Sequence, residues 1–91
     1  MRGGATVNEL TKGRLERDKL AKIVFSVVEA RGRISCFELV NLAMPLVPKN
    51  IDQYQYTSKA DLKSAIWRLH SWGLLDVAPN WDILLRAQEA A

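Results

Sequence analysis

The sequence predicts a mainly α-helical single domain with a small β-hairpin: a three-helix core followed by a C-terminal hairpin. Three observations predict it. Residues 57–77 read as a capped helix that stops at Gly73 and runs at once into the apolar stretch Leu74-Leu75-Asp76-Val77. Two upstream segments, 14–31 and 36–44, carry apolar residues at helical spacing. After the short turn Ala78-Pro79-Asn80, Trp81, Ile83 and Leu85 alternate with Asp82 and Leu84, the period-2 pattern of a half-buried strand.

Residues 1–13 hold Gly3, Gly4 and Gly13 with little periodicity, the pattern of a flexible basic N-terminal arm. The domain proper is expected over 14–86, with 87–91 as a C-terminal tail. Its first helix should run from about Arg14 to Arg31 and end at Gly32. Leu20, Val24, Val27 and Arg31 share one side, flanked by Ile23 and Val28. Phe25 is rotated from Leu20 by roughly 140°, at about 100° per residue, and so leaves that stripe. An aromatic placed there has to be covered, either by a second chain or by the segment from Ile83 to Ala91 folding back.

Arg33-Ile34 is a short extended link. Ser35 then caps a second helix, with Glu38 at the capping-box position. Phe37, Leu39, Val40, Ala43 and Met44 supply its apolar side, and Pro45 stops it by disfavouring helical geometry at Met44. Residues 45–56 are too long for a helix-turn-helix turn of about 3–4 residues. Leu46, Val47 and Ile51 mark this connection as packed, with at least one of Tyr54 and Tyr56 pinning it to the core. The third helix is capped by Ser58, with Asp61 three residues on. Leu62, Ile66 and Leu69 form its inner stripe. Ala60, Ser64, Trp67 and Ser71 point outward, flanked by Lys63 on one edge and Arg68 on the other.

Ninety-one residues suffice for one domain with a single modest core. No run approaches the roughly 20 apolar residues of a membrane span, and residues 1–5 lack the apolar region of a secretion signal. One cysteine, Cys36, forms no internal disulfide and belongs to no Cys/His cluster of metal-site spacing. It reads as a small core residue. An intracellular, cytoplasmic protein without metal or cofactor is the expectation. The net charge of +3 is unevenly placed: eight cations up to Arg33 face Glu9, Glu16, Asp18 and Glu29, while the remainder is slightly acidic. A basic N-terminal third suits a polyanion partner, and equally a solvated helix face.

No glycine-rich phosphate loop follows a strand, and no nucleophile–base pair is suggested by spacing. His70 stands alone on the flank of the third helix. Asp76 and Asp82, on the two sides of the hairpin turn, read as solvated surface and not as a catalytic acid pair. The sequence is therefore not read as an enzyme.

The order helix, extended link, helix, helix, hairpin resembles the winged helix-turn-helix superfamily of DNA-binding domains. The run from Asp61 to Leu75, with its Gly73-Leu74 ending, is similar to many bacterial and archaeal regulators. The resemblance covers roughly Leu15 to Arg86. It implies a third helix that enters the major groove of double-stranded DNA. On that reading Thr57, Ser58 and Lys59 contact phosphate, while Lys63, Ser64, Trp67 and Arg68 form the reading face. Arg14, Arg17 and the arm add non-specific attraction. The implied function is transcriptional or mobile-element regulation by a homodimer joined through Phe25 or Trp67.

The alternative is a winged-helix module that holds a protein as a subunit or adaptor. The tip Ala78-Pro79-Asn80 carries no Lys or Arg, acidic residues flank it, and Trp67 is a large ring for a groove-facing position.

Overall fold

In the computed structural model, which describes residues 9–86, the first helical segment is two helices, α1 (Glu9–Arg17) and α2 (Lys19–Arg31). The expected single helix breaks at Asp18, which leaves helical geometry and accepts a hydrogen bond from the Ala21 N–H at 3.1 Å. An aspartate satisfies an orphan donor of a helix start well, so it begins a new helix where the spacing alone implied continuation. The expected arm over 1–13 is corrected too, since it is helical from Glu9 on. Gly13 lies inside α1, where tertiary packing through buried Thr11 and Leu15 overrides a weak helix former. The rest of the arm and the tail over 87–91 lie outside the described residues.

The break re-aims the chain so that α1 packs on α2. Phe25, expected to need a second chain or the segment from Ile83 to Ala91 as cover, is only 5% exposed and joins the core cluster with Leu15, so its ring is not open to a partner. The buried positions of α2 are Ala21, Val24, Phe25 and Val28, one step round from the anticipated stripe. Leu20, Ile23 and Val27 are half-covered, because α2 meets α1, α4, α3 and the sheet. The stripe keeps the i, i+3, i+4, i+7 spacing of one buried face, while Lys22, Ser26 and Glu29 stay exposed on the other.

Gly32, at φ +78°, turns the chain into β1 (Arg33–Ser35), and Ser35 caps α3 (Cys36–Ala43) by accepting from the Glu38 N–H. Leu39, Val40 and Ala43 are buried. Phe37, expected on that side, is 75% exposed and projects from it. Residues 44–58 are a chain of tight turns with two 3-10 segments, Met44–Leu46 and Asp52–Tyr54. Their backbone groups bond locally, as in Ile51 N–H to Pro48 O and Tyr54 N–H to Ile51 O. Val47 and Tyr54 pack inward, while Tyr56 is exposed.

Helix α4 (Lys59–Ser71) opens with the reciprocal capping box of Ser58 and Asp61. It closes with Gly73 N–H to His70 O and Leu74 N–H to Leu69 O, both 3.0 Å, the paired bonds of a Schellman end. Leu74 and Leu69 are buried together, the apolar contact of that motif. Strands β2 (Leu75–Val77) and β3 (Asp82–Leu85) form the expected hairpin, and β1 joins β3 on its other side, giving the antiparallel order β1-β3-β2. Ile34 opposes Ile83 in that register, and both are buried. The architecture is mainly helical with a small three-stranded sheet. No helix among the described residues is long and apolar enough to cross a membrane.

Candidate functional site

The outward face of α4 is as the heptad spacing sets it: Lys59, Ala60, Lys63, Ser64, Trp67 and Ser71 are exposed. Two expected contact residues are not available there. Arg68 turns aside to Asp18, donating from Nε at 2.7 Å and from Nη2 at 3.0 Å. Thr57 is buried, and its hydroxyl donates to the Tyr54 carbonyl at 2.9 Å. The Ser58 hydroxyl serves the capping box. Bonds from the Ser58 backbone N–H, then from its side chain, hold the Asp61 carboxyl below the usual carboxylate range.

The N-terminal cations divide differently. Arg14 is half-buried with its guanidinium 5.8 Å from the Trp72 ring centre, a cation–π contact, whereas Arg17 is exposed. At the hairpin, Asp82 pairs with Arg33 at 2.9 Å and Asp76 accepts from Arg86 Nε at 2.8 Å. Both aspartates, expected as solvated surface, are partly buried and paired with arginine.

What the fold builds beside α4 is a cleft of about 550 Å³. Cys36, Phe37, Val40 and Asn41 of α3 form one wall, and Lys59, Lys63, Ile66 and Trp67 of α4 form the other. Val77, Trp81 and Ile83 of the hairpin close one end. Val40, Ile66 and Ile83 are buried at the floor. Phe37, Trp67 and Trp81 stand at the rim with 75%, 48% and 58% of their surface open. The Trp67 and Trp81 rings meet edge to face at 6.0 Å, and His70 packs edge-on to Trp67 at 5.6 Å. Lys59 and Lys63 are the charged side chains of the lining, and neither forms an ion pair among the described residues.

Phe37 and Trp81 were both expected to face inward, Trp81 by strand alternation and Phe37 by its place among the apolar residues of its helix. Trp81 departs from its strand because it belongs to the turn. Its N–H donates to Ala78 O at 2.9 Å, the Ala78 N–H donates to Asp82 O at 2.8 Å, and Trp81 takes φ +68°. This is a β-turn followed by a left-handed bulge residue, a position where glycine is usual. The signal was present: Pro79 suits the first central turn position, which puts Trp81 at the bulge. The Trp81 carbonyl accepts from the Cys36 N–H at 2.9 Å and so ties the hairpin to the start of α3. For Phe37, the stripe Cys36, Leu39, Val40 and Ala43 has the i, i+3, i+4, i+7 spacing that leaves position 37 outside.

No known protein family, curated protein or solved structure matches the chain. The cleft therefore has to be interpreted from its own chemistry. Its walls are aromatic and aliphatic, its charge is positive and confined to α4, and the rings around it remain largely wet. A second, shallower patch lies between α2 and α3, where Val27, Ala30, Leu42 and Leu46 come together. Among the described residues no group of His, Cys, Asp and Glu could hold a metal ion.

Proposed function

We propose that the chain is a winged-helix binding module whose α4–hairpin face holds another protein. The observation that carries this reading is the cleft with Phe37, Trp67 and Trp81 exposed at its rim. Large rings kept in water around a concave apolar floor match the anchor pockets in which protein interfaces concentrate their energy. Phosphate binding, in contrast, needs free cations, and the α4 face keeps only Lys59 and Lys63 once Arg68 is bound to Asp18.

Duplex DNA is the second reading, favoured by the exposure of Lys59, Lys63 and Ser64 along the first half of α4. Titration of a labelled random-sequence duplex at several salt concentrations separates the two. Two lysine contacts give a slope of log K against log salt no steeper than about −1.8, at about −0.9 per phosphate. A slope of several units more would overturn the protein-binding reading. A stoichiometric protein recovered from the native source by the wild type, and lost with Trp67→Ser, is the positive result expected.

A further inference from the structure

We propose that the occupant of the cleft is an amphipathic helix of a different protein, apolar along one stripe and acidic where it meets Lys59 and Lys63. This rests on the reading of the α4–hairpin face as protein-binding, and narrows it to one chemistry.

The shape argues for a macromolecule. A cleft of about 550 Å³ lies within the usual small-ligand range of about 300–1,000 Å³. A ligand on its floor, however, would leave the outer faces of Phe37 and Trp81 in water. A flat lipid surface has the converse failing, since it would cover the rim and leave the floor over Val40 and Ile66 unfilled. A protein ridge covers both.

The lining argues for a helix over an extended strand. Asn41 is the one neutral amide among the lining residues, which are otherwise aliphatic or aromatic apart from Cys36 and the two lysines. An extended peptide would bring unpaired backbone N–H and C=O groups to walls that offer them few partners. A helix arrives with those groups already bonded. The dimensions agree. Lys59 and Trp67 are eight positions apart on α4, about 12 Å at 1.5 Å per residue, and anchors at i, i+4 and i+7 of a docked helix span about the same length.

Charge selects the partner. Lys59 and Lys63 are one turn apart on α4, both exposed and without an ion pair among the described residues. Carboxylates on the incoming helix are their natural counterpart. The same two lysines argue against a second copy of this chain. In a two-fold interface centred on the cleft, the patch faces itself and like charges are brought together.

The probes for the test are two designed peptides, each about four turns long and helical, with identical leucines at i, i+4 and i+7. One carries Glu flanking the leucine stripe at both ends and the other Lys. Binding is read from the shift in tryptophan emission of a Trp72→Phe background, which leaves Trp67 and Trp81 as the emitters, and from protection of Cys36, the one cysteine of the chain, against alkylation. At low salt the Glu peptide should bind at least about tenfold more tightly, and the gap should narrow as salt rises. Lys59→Glu with Lys63→Glu, both at exposed positions, should reverse the preference. Equal affinity for both peptides would overturn the acidic partner while leaving a protein-docking face. Binding of neither would overturn the helix, and a steep salt slope with duplex DNA would remove the reading beneath it.

Discussion

Arg68 and Asp18 stand 50 positions apart in the chain and are joined by two hydrogen bonds, at 2.7 and 3.0 Å. The same carboxylate caps α2 through the Ala21 N–H. One aspartate thus starts a helix, tethers α4 to it and withdraws from the α4 face the arginine best suited to read a base. Asp18→Ala removes both interactions and should cost about 2 kcal/mol, whereas Arg68→Ala leaves the cap and should cost about 1 kcal/mol, since the pair is partly exposed. Urea denaturation of the two variants checks the order, and a larger loss for Arg68→Ala would contradict it.

Burial by itself would raise the Asp18 carboxyl, but the bonds from Arg68 and Ala21, with the Arg68 charge, outweigh it and hold the carboxyl below its ordinary value. A carboxyl depressed in the folded state contributes stability fully above its unfolded pKa of about 3.9. That contribution is lost as the pH falls through the lower folded value. The stability gap between wild type and Asp18→Asn should therefore be constant from neutral pH to about 5 and close below about 4. A gap that persists unchanged at the acid end would mean that the ionised carboxylate is not what stabilises this corner.

Trp81 holds φ +68° at a bulge where a side chain is strained. Trp81→Gly and Trp81→Ala both delete the ring, but only glycine relieves the backbone. The glycine variant should be the more stable of the two by about 1 kcal/mol. Thermal unfolding measures the difference, and both variants should lose peptide binding. An alanine variant at least as stable as the glycine one would show that the turn carries no strain.

The two phenylalanines should behave oppositely to the sequence expectation, which placed Phe37 on the apolar side of its helix and left Phe25 off the stripe of its own. Phe25, 5% exposed, should cost about 3–5 kcal/mol on truncation to alanine. Phe37, 75% exposed, should cost no more than about 0.5 kcal/mol. Partner binding, in turn, should be lost with Phe37→Ala, which stays folded by circular dichroism. A strongly destabilised Phe37→Ala would mean that its ring supports the fold instead of standing ready for a partner.

Gly73, at φ +80°, has room for a Cβ, whose nearest neighbour would be the Arg86 side chain at 3.7 Å. Gly73→Ala should nonetheless cost about 1–2 kcal/mol, because the left-handed backbone and not the space is what excludes a side chain. Guanidinium titration reads it, and a neutral outcome would mean that the helix end re-forms without the left-handed residue.

Much of the fold was legible in the sequence because its signals are local. Ser58 with Asp61 and Ser35 with Glu38 act across three residues, through a side chain meeting an unsatisfied backbone group, and Gly73 acts through a left-handed backbone that lets local N–H groups reach the last carbonyls. Such interactions need no distant partner, so helices α3 and α4 and the hairpin could be placed in advance. The outward positions of α4 followed from the same periodicity.

The site itself was decided by tertiary structure. That Arg68 is taken by Asp18, that Thr57 is buried, and that Phe25 is covered while Phe37 is not, all depend on which elements pack together. The sequence by itself determined the starts of α3 and α4 and the ends of α2 and α4, since hydrogen bonding at helix ends is a near-neighbour matter, although the equally local cap at Asp18 went unread. Only the tertiary structure decided which cations stay free and which aromatic rings stay wet, because burial and ion pairing are set by residues tens of positions away.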